Sequence, residues 1–223
     1  MSLLNKLFNF VVLTTKKYNI DYSHSISHSM EVLHFASNIY QNEKLNNSSF
    51  QYCNDKGLVR PFSLEKYERI IYVSSILHDM CDKKYMSEKD GIVNIEEFLQ
   101  EKIPKEEIDI TNKIVSTMSY SKVKKYGFPD LQDSQLAYHI VRESDLLCAY
   151  NFNRAMIYNM YKFNGNIDTA FTDSENLFQN RVFKHNDHNL FITDYSKKQS
   201  LILQEHSLKQ INTWRQLVKN PIF

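Results

Sequence analysis

Glycine and proline are scarce in this chain of 223 residues, with four of each. Tight hairpin turns depend on these two residues, because glycine permits a positive φ and proline fixes φ at the first turn position. Their scarcity leaves little turn chemistry for a β fold and favours helices joined by polar loops rich in Asn, Ser, Asp and Lys. The sequence therefore predicts an all-α protein.

Apolar residues recur at the three- and four-residue spacing of amphipathic helices along most of the chain. Together with the cap signals, this periodicity predicts about seven or eight helices. The segment Gln41–Pro61 interrupts the pattern with Asn, Ser and Lys, and we interpret it as an exposed loop or insertion. The expected helices span residues 3–17, 23–40, 64–79, 87–103, 107–118, 134–161, 173–184 and 196–218.

Length and charge narrow the class of protein. A chain of this length, 42% hydrophobic and 24% charged, is expected to form one soluble domain over residues 1–223. The formal net charge is +1, with acidic and basic residues interspersed. No basic stripe is present, so we expect no nucleic-acid polymer as partner and no membrane surface. No apolar run approaches the roughly 18 residues of a transmembrane helix.

The cysteines and the start of the chain predict a cytoplasmic location. The three cysteines, Cys53, Cys81 and Cys148, are odd in number and far apart, so they form neither a disulfide framework nor a CxxC zinc site. The apolar run at residues 10–13 is preceded by polar residues and lacks a cleavage site. We interpret the segment Met1–Thr15 as a packed helix and not as a signal peptide.

Four residues on separate predicted helices are candidates for a metal site: His28, the adjacent pair His78 and Asp79, and Asp145. A mixed set of imidazole and carboxylate ligands suits a divalent ion, and such sites usually perform hydrolysis. Each residue also has an ordinary structural alternative. A single His on an apolar helix face is commonly a core residue, and Asp145 can pair with Arg142 one turn earlier.

The remaining histidines are weaker candidates. His24 shares a helical face with His28, whereas His139 lies on another side of its helix than Asp145. We interpret His34 as lying off the face of His28, and His206 as a surface or core residue. The group His185, Asp187 and His188 lies in a polar segment and is interpreted as solvated surface.

Three stretches of the sequence resemble the motifs of the HD-domain metal-dependent phosphohydrolase superfamily. They are His28-x-x-x-Val32, then Ile76-Leu-His-Asp-Met-x-Asp82-x-Lys-Tyr85, then Ile140-Val-x-Glu-Ser-Asp-x-Leu147. The colinear match covers about four fifths of the chain. It implies a single HD-type helical domain with a core at about residues 18–163, on which C-terminal helices at 173–218 pack.

The resemblance implies a metal held by His28, His78, Asp79 and Asp145. One His between Asp79 and Asp145 is too few for a two-metal site, so we expect one ion, which this ligand set allows to be Mn, Fe, Mg, Co, Ni or Zn. The implied activity is hydrolysis of a nucleotide or another small phosphate ester by attack of a metal-bound water.

Further residues are expected around this metal. Asp82 would orient or deprotonate the water, its alternative being a surface residue after a helix end. His24, Lys84 and Arg142 are the cations expected to bind the substrate phosphate.

Several residues depart from the family pattern and leave a second function open. They are Ser25, Glu31, the pair Glu143 and Ser144, and Cys148. Because residues around the ligands tune a metal site, these changes allow a catalytically impaired module that binds metal or nucleotide. A nuclease that acts on polymers is disfavoured by the neutral charge balance.

Overall fold

A computed structural model of the chain describes residues 1–46, 51–53, 59–61 and 64–220. The described residues form ten α-helices and one antiparallel pair of short strands. The helices are α1 (Leu3–Tyr18), α2 (Ile26–Asn46), α3 (Glu68–Leu77), α4 (Glu88–Leu99), α5 (Lys105–Thr117), α6 (Tyr120–Tyr126), α7 (Gln135–Cys148), α8 (Phe152–Lys162), α9 (Ile167–Asn180) and α10 (Asp194–Lys219). The strands are β1 (Gln51–Cys53) and β2 (Val59–Pro61), with Gln51 opposite Pro61.

The expected all-α class is confirmed, but the helix count is higher than expected. The helix predicted at 134–161 is two helices, α7 and α8, because the chain turns after Ala149. The side chain of Asn151 caps α8 by accepting a hydrogen bond from Arg154 N. Helix α6 has seven residues, which is too short to show a clear period.

The two largest differences from the expected helix boundaries are at the end of α2 and at the start of α9. Helix α2 continues to Asn46, so the predicted loop at 41–61 begins later than expected, and much of it lies outside the described residues. Helix α9 begins at Ile167 rather than at Asp173, because Asn166 caps it by accepting from Thr169 N. Within the part of the chain that the structure describes, no helix is both long and apolar enough to cross a membrane.

Helix α3 lies between the two clusters of buried apolar side chains that the described residues form. Ile70 and Ile71 pack in the cluster that includes α2, α7 and α8, whereas Ile76 and Leu77 pack in the cluster that includes α1, α4 and α5. Each fully buried side chain of this size contributes about 1.5–3 kcal/mol. The C-terminal end of α3 is therefore held from two sides.

Candidate metal centre

His78 and Asp79 lie in a tight turn directly after α3. The helix ends at Leu77, and Met80 N donates to Leu77 O at 2.9 Å. Asp82 N then donates to Asp79 O at 3.2 Å. These i to i+3 bonds tighten the chain after the anchored end of α3, so the two side chains have fixed positions.

Gly91 of α4 supports this turn from the other side. A Cβ atom at position 91 would lie 2.5 Å from Cys81 Cα and 3.0 Å from Met80 O. Any larger residue would therefore push the turn away from α4, and only glycine allows this close backbone approach.

His28 and Asp145 come from two helices, α2 and α7, that pack against each other. His28 lies in the first turn of α2, on the same face as the buried Val32 and Ala36. Asp145 lies in the last turn of α7. Packing of the two helices brings both side chains to the turn after α3.

The structure brings these four residues together, and we call them the His/Asp cluster (His28, His78, Asp79 and Asp145). The two Nε2 atoms of the histidines are 3.1 Å apart. Asp79 Oδ2 lies 3.4 Å from His28 Nε2 and 3.3 Å from His78 Nε2. Asp145 Oδ1 lies 3.2 Å and 3.7 Å from the same two atoms.

These separations have the size expected between ligands of one ion. Ligands at a bond length of about 2.1 Å lie about 3.0 Å apart at right angles and about 3.4 Å apart at the tetrahedral angle. The measured separations run from 3.1 to 3.7 Å. Donor atoms of His28, His78 and Asp145 also lie within 4.8 Å of one another. The cluster can hold one divalent ion.

Two further observations fit an ion at this point. Asp79 Oδ2 is buried and accepts no hydrogen bond within the described residues, a cost that a cation would offset. His78 Nδ1 lies 2.9 Å from Ser75 O. Donation from Nδ1 to that carbonyl leaves the lone pair of Nε2 free to face the cluster.

The cluster shifts the pKa of each member. Burial lowers the pKa of His28 to about 4, and the charge of Arg154 acts in the same direction. Burial also opposes protonation of His78, but the carboxylates of Asp79 and Asp145 outweigh it and raise its pKa to about 9. For both carboxyls burial would raise the pKa, yet the two histidines hold it below its usual range.

The other nitrogen of His28 has a different neighbour. The Arg154 guanidinium contacts His28 Nδ1 and lies 3.5 Å from Ser23 O. Glu31 and Cys148 also lie near His28, as the second group in the described residues that could hold an ion. Both groups include His28, so they do not form two independent centres.

The cluster forms one wall of a cavity of about 230 Å³. Its lining includes three of the predicted residues, His24, Asp82 and Lys84. The Lys84 ammonium is 3.2 Å from His24 Nε2 and lies over the ring of Tyr158 at 5.6 Å. His24 therefore supports Lys84 at the rim.

Asp82 lies on the turn that follows α3, because the helix ends at Leu77. Asp82 Oδ1 accepts from Lys84 N at 2.9 Å, and Oδ2 is 3.5 Å from Lys84 Nζ. The turn itself, stabilised by this side chain, places Asp82 in the lining.

Arg142 is a correction, because the structure does not bring it to this cavity. Its side chain is buried in the core, where Nη2 donates to Glu143 Oε1 at 3.1 Å. The guanidinium also lies over the ring of Phe128 at 4.7 Å. Arg142 precedes Asp145 by three residues, but its guanidinium lies with Glu143, His139 and the Phe128 ring and not with Asp145.

The residues that depart from the family pattern have local structural roles. Ser25 Oγ donates to Tyr22 O, and Ser144 Oγ donates to Ile140 O. Glu143 is fully buried and accepts hydrogen bonds from Ile192 N at 2.7 Å and from Thr193 N at 3.2 Å. Its carboxylate thus joins α7 to the chain before α10.

The histidines outside the cluster are placed as follows. His139 is buried away from the cavity, 3.2 Å from Gln135 Nε2. His185 was expected at the surface but is fully buried beside the rings of Tyr120, Tyr150 and Phe191. Burial lowers the pKa of His185 to about 3. The aromatic residues around His185 lie far apart in the sequence. The polar residues next to it therefore gave no indication that His185 is buried.

Two arginines of the cavity, Arg154 and Arg181, were not predicted from the sequence. Arg154 lies in the first turn of α8, nine residues after Asp145 and beyond the motif. Arg181 lies between Phe178 and Val182, which are both buried. A charged residue between apolar neighbours indicates a partly buried charge, and this was the available signal.

Comparison of the chain with protein-family models, curated proteins and solved structures found no match in any of the three. The candidate metal centre therefore rests on its own residues and distances.

Proposed function

We propose that the protein is an HD-type metal-dependent phosphohydrolase that hydrolyses a nucleotide or another small phosphate ester. The observation that carries the proposal is the His/Asp cluster, in which donor atoms from α2, from α7 and from the turn after α3 lie 3.1 to 3.7 Å apart. The order of the three motifs along the chain supports the same proposal.

A divalent ion in this cluster would supply Lewis-acid chemistry, lowering the pKa of a coordinated water and neutralising charge on a phosphate. The four cluster residues would hold the ion at the wall of the cavity. Lys84, at the rim, provides a positive charge for the substrate phosphate.

Asp82 is the residue proposed to orient the attacking water or to accept its proton. It lines the cavity three residues after Asp79, and its pairing with Lys84 keeps it near the rim. A positioned general base typically contributes about 100-fold or more to the rate. In Asp82→Asn we therefore expect kcat to fall by about that factor while metal affinity stays unchanged.

Metal analysis combined with a phosphatase screen tests the function. The purified protein is assayed with nucleoside monophosphates and p-nitrophenyl phosphate in the presence of Mn, Fe, Mg, Co, Ni or Zn. We expect metal-dependent turnover that falls on the order of 1000-fold in Asp79→Ala, as when a preorganised transition-state contact is removed. Asp109→Ala is the matched control, because that carboxylate is exposed and pairs with Lys105 on α5.

Two results would contradict the proposal. One is that no metal is bound and added ions have no effect, and the other is equal activity in Asp79→Ala.

A second candidate function is a module that binds metal or nucleotide without turnover. The contact of Arg154 with His28 Nδ1 favours it, since a guanidinium there opposes the ligand form of that histidine. Bound metal without turnover on any substrate would select this second function.

A further inference from the structure

The side chain of Arg181 lines the cavity at the C-terminal end of α9, next to α6. It directly follows Asn180, the last residue of α9, and its guanidinium carbon lies 4.0 Å from the centroid of the Tyr120 ring. Arg181, Tyr120 and the His/Asp cluster all line the same cavity. An aromatic face at this distance attracts a guanidinium and restricts its orientation.

The charge of Arg181 has no close counter-charge among the described residues. Arg69, Arg142 and Arg215 each pair with a glutamate. Arg154 contacts His28 and the backbone oxygen of Ser23. Within the part of the chain that the structure describes, Arg181 contacts the Tyr120 ring but makes no hydrogen bond and has no carboxylate oxygen within 4.0 Å of its guanidinium.

Burying a guanidinium without an acceptor costs free energy unless a ligand in the cavity accepts its hydrogen bonds. Burial lowers the pKa of Arg181, and the more distant charge of Asp145 opposes this only in part. A guanidinium has five N–H donors in a fork that matches two oxygens of a phosphate or carboxylate. The protein supplies the donors here and leaves the acceptor to a ligand.

We propose that Arg181, supported by the ring of Tyr120, binds the anionic oxygens of the substrate phosphate and makes the cavity selective for phosphorylated molecules. The identity of the ligand as a substrate rests on the proposed function. Arg181 takes the role that the sequence pattern gave to Arg142, which is buried away from the cavity. Because it lies on a different element from the metal ligands, its removal leaves the His/Asp cluster intact.

Orthophosphate binding to the Mn²⁺-loaded full chain tests the proposal. In Arg181→Met we expect orthophosphate to bind about 10- to 100-fold more weakly, the usual loss for a charged hydrogen bond. Arg181→Lys keeps the charge without the fork, so its loss is expected to be intermediate. Isothermal titration of Mn²⁺ into each variant should give wild-type metal affinity.

Arg215→Met is the matched control, because Arg215 pairs with Glu175 outside the cavity. If Arg181→Met does not fold, Arg181→Lys and Tyr120→Leu replace it, and both should weaken orthophosphate binding. Folded Arg181 variants with wild-type orthophosphate affinity would overturn the proposal.

The two proposals fail separately. Hydrolysis of p-nitrophenyl phosphate with an unchanged KM in Arg181→Met refutes the role of Arg181 and keeps the phosphohydrolase. Arg181-dependent orthophosphate binding without hydrolysis in any metal keeps the anion site and refutes the enzyme.

Discussion

His28 and His78 present the same nitrogen to the same point, but their opposite nitrogens meet different groups. Nδ1 of His78 faces the backbone oxygen of Ser75, whereas Nδ1 of His28 faces the guanidinium of Arg154. A carbonyl accepts the Nδ1 proton, so the neutral form of His78 has its lone pair on Nε2. A guanidinium only donates, so neutral His28 carries its proton on Nε2.

This difference divides the candidate metal centre into a prepared half and an unprepared half. On the turn after α3, the Ser75 carbonyl holds the Nδ1–H of His78 in the orientation that a metal ligand requires, and an ion has only to displace the Nε2 proton that the neighbouring carboxylates retain. On α2, binding of an ion must displace a proton from His28 Nε2 and disturb the Arg154 contact. The comparison predicts that the two sides respond differently to mutation.

The largest effect is expected on the prepared side, from Gly91→Ala. The new Cβ would collide with Cys81 Cα at 2.5 Å and displace the turn that carries His78 and Asp79. We expect Mn²⁺ affinity to fall by about 10- to 100-fold, comparable to the loss of a residue that orients a ligand. Overpacking should also lower the free energy of unfolding by about 1–3 kcal/mol.

Calorimetry with Mn²⁺ and thermal unfolding measure the two effects. Lys89→Ala, an exposed position on the same helix, is the control. Wild-type metal affinity in Gly91→Ala would show that the turn is not held by α4.

A smaller effect of opposite sign is expected on the unprepared side, from Arg154→Gln. The amide oxygen of glutamine can accept a proton from His28 Nδ1, which frees Nε2 as a ligand. We expect Mn²⁺ to bind about 10-fold more tightly, as measured by calorimetry. Arg215→Gln serves as the control, and weaker Mn²⁺ binding in Arg154→Gln would reverse our account of the two histidines.

We expect His185→Phe to leave metal affinity unchanged, because His185 is buried outside the His/Asp cluster. The variant serves as a comparison with His28 and His78. The pKa of His185 is lowered to about 3 from 6.5, so between these values the unfolded chain binds the proton and the folded chain does not. Its contribution to stability is complete above pH 6.5 and is lost as the pH falls towards 3, by up to about 1.4 kcal/mol per pH unit.

Urea unfolding of the metal-free protein between pH 7 and pH 4 measures this slope. His185→Phe should flatten it, whereas the exposed His206→Gln should leave it unchanged. An equally steep slope in His185→Phe would assign the acid sensitivity to other groups.

Local sequence predicts the helices well where an apolar face runs for several turns. The break between α7 and α8 is missed because apolar spacing continues through it, and only the cap at Asn151 marks it. The end of α2 is also missed, since its last turn carries polar residues and is helical without a buried face.

The candidate site, like the helices, could be predicted only in part from local sequence. His28, His78, Asp79 and Asp145 lie in recognisable motifs, and the structure brings them together. Arg181 reaches the same cavity from a remote helix through tertiary packing, which no local spacing reveals. Contacts between distant helices therefore decide which cations surround the cluster.

Glu143 is expected to slow the hydrogen exchange of backbone amides in the stretch before α10. The amides of Ile192 and Thr193 belong to no helix, yet both donate to this fully buried carboxylate. Opening the stretch would remove these hydrogen bonds from a carboxylate buried in the core, so these amides should exchange with deuterium as slowly as those of packed helices. Their exchange rates would report from a loop on the integrity of α7, the helix that carries Asp145.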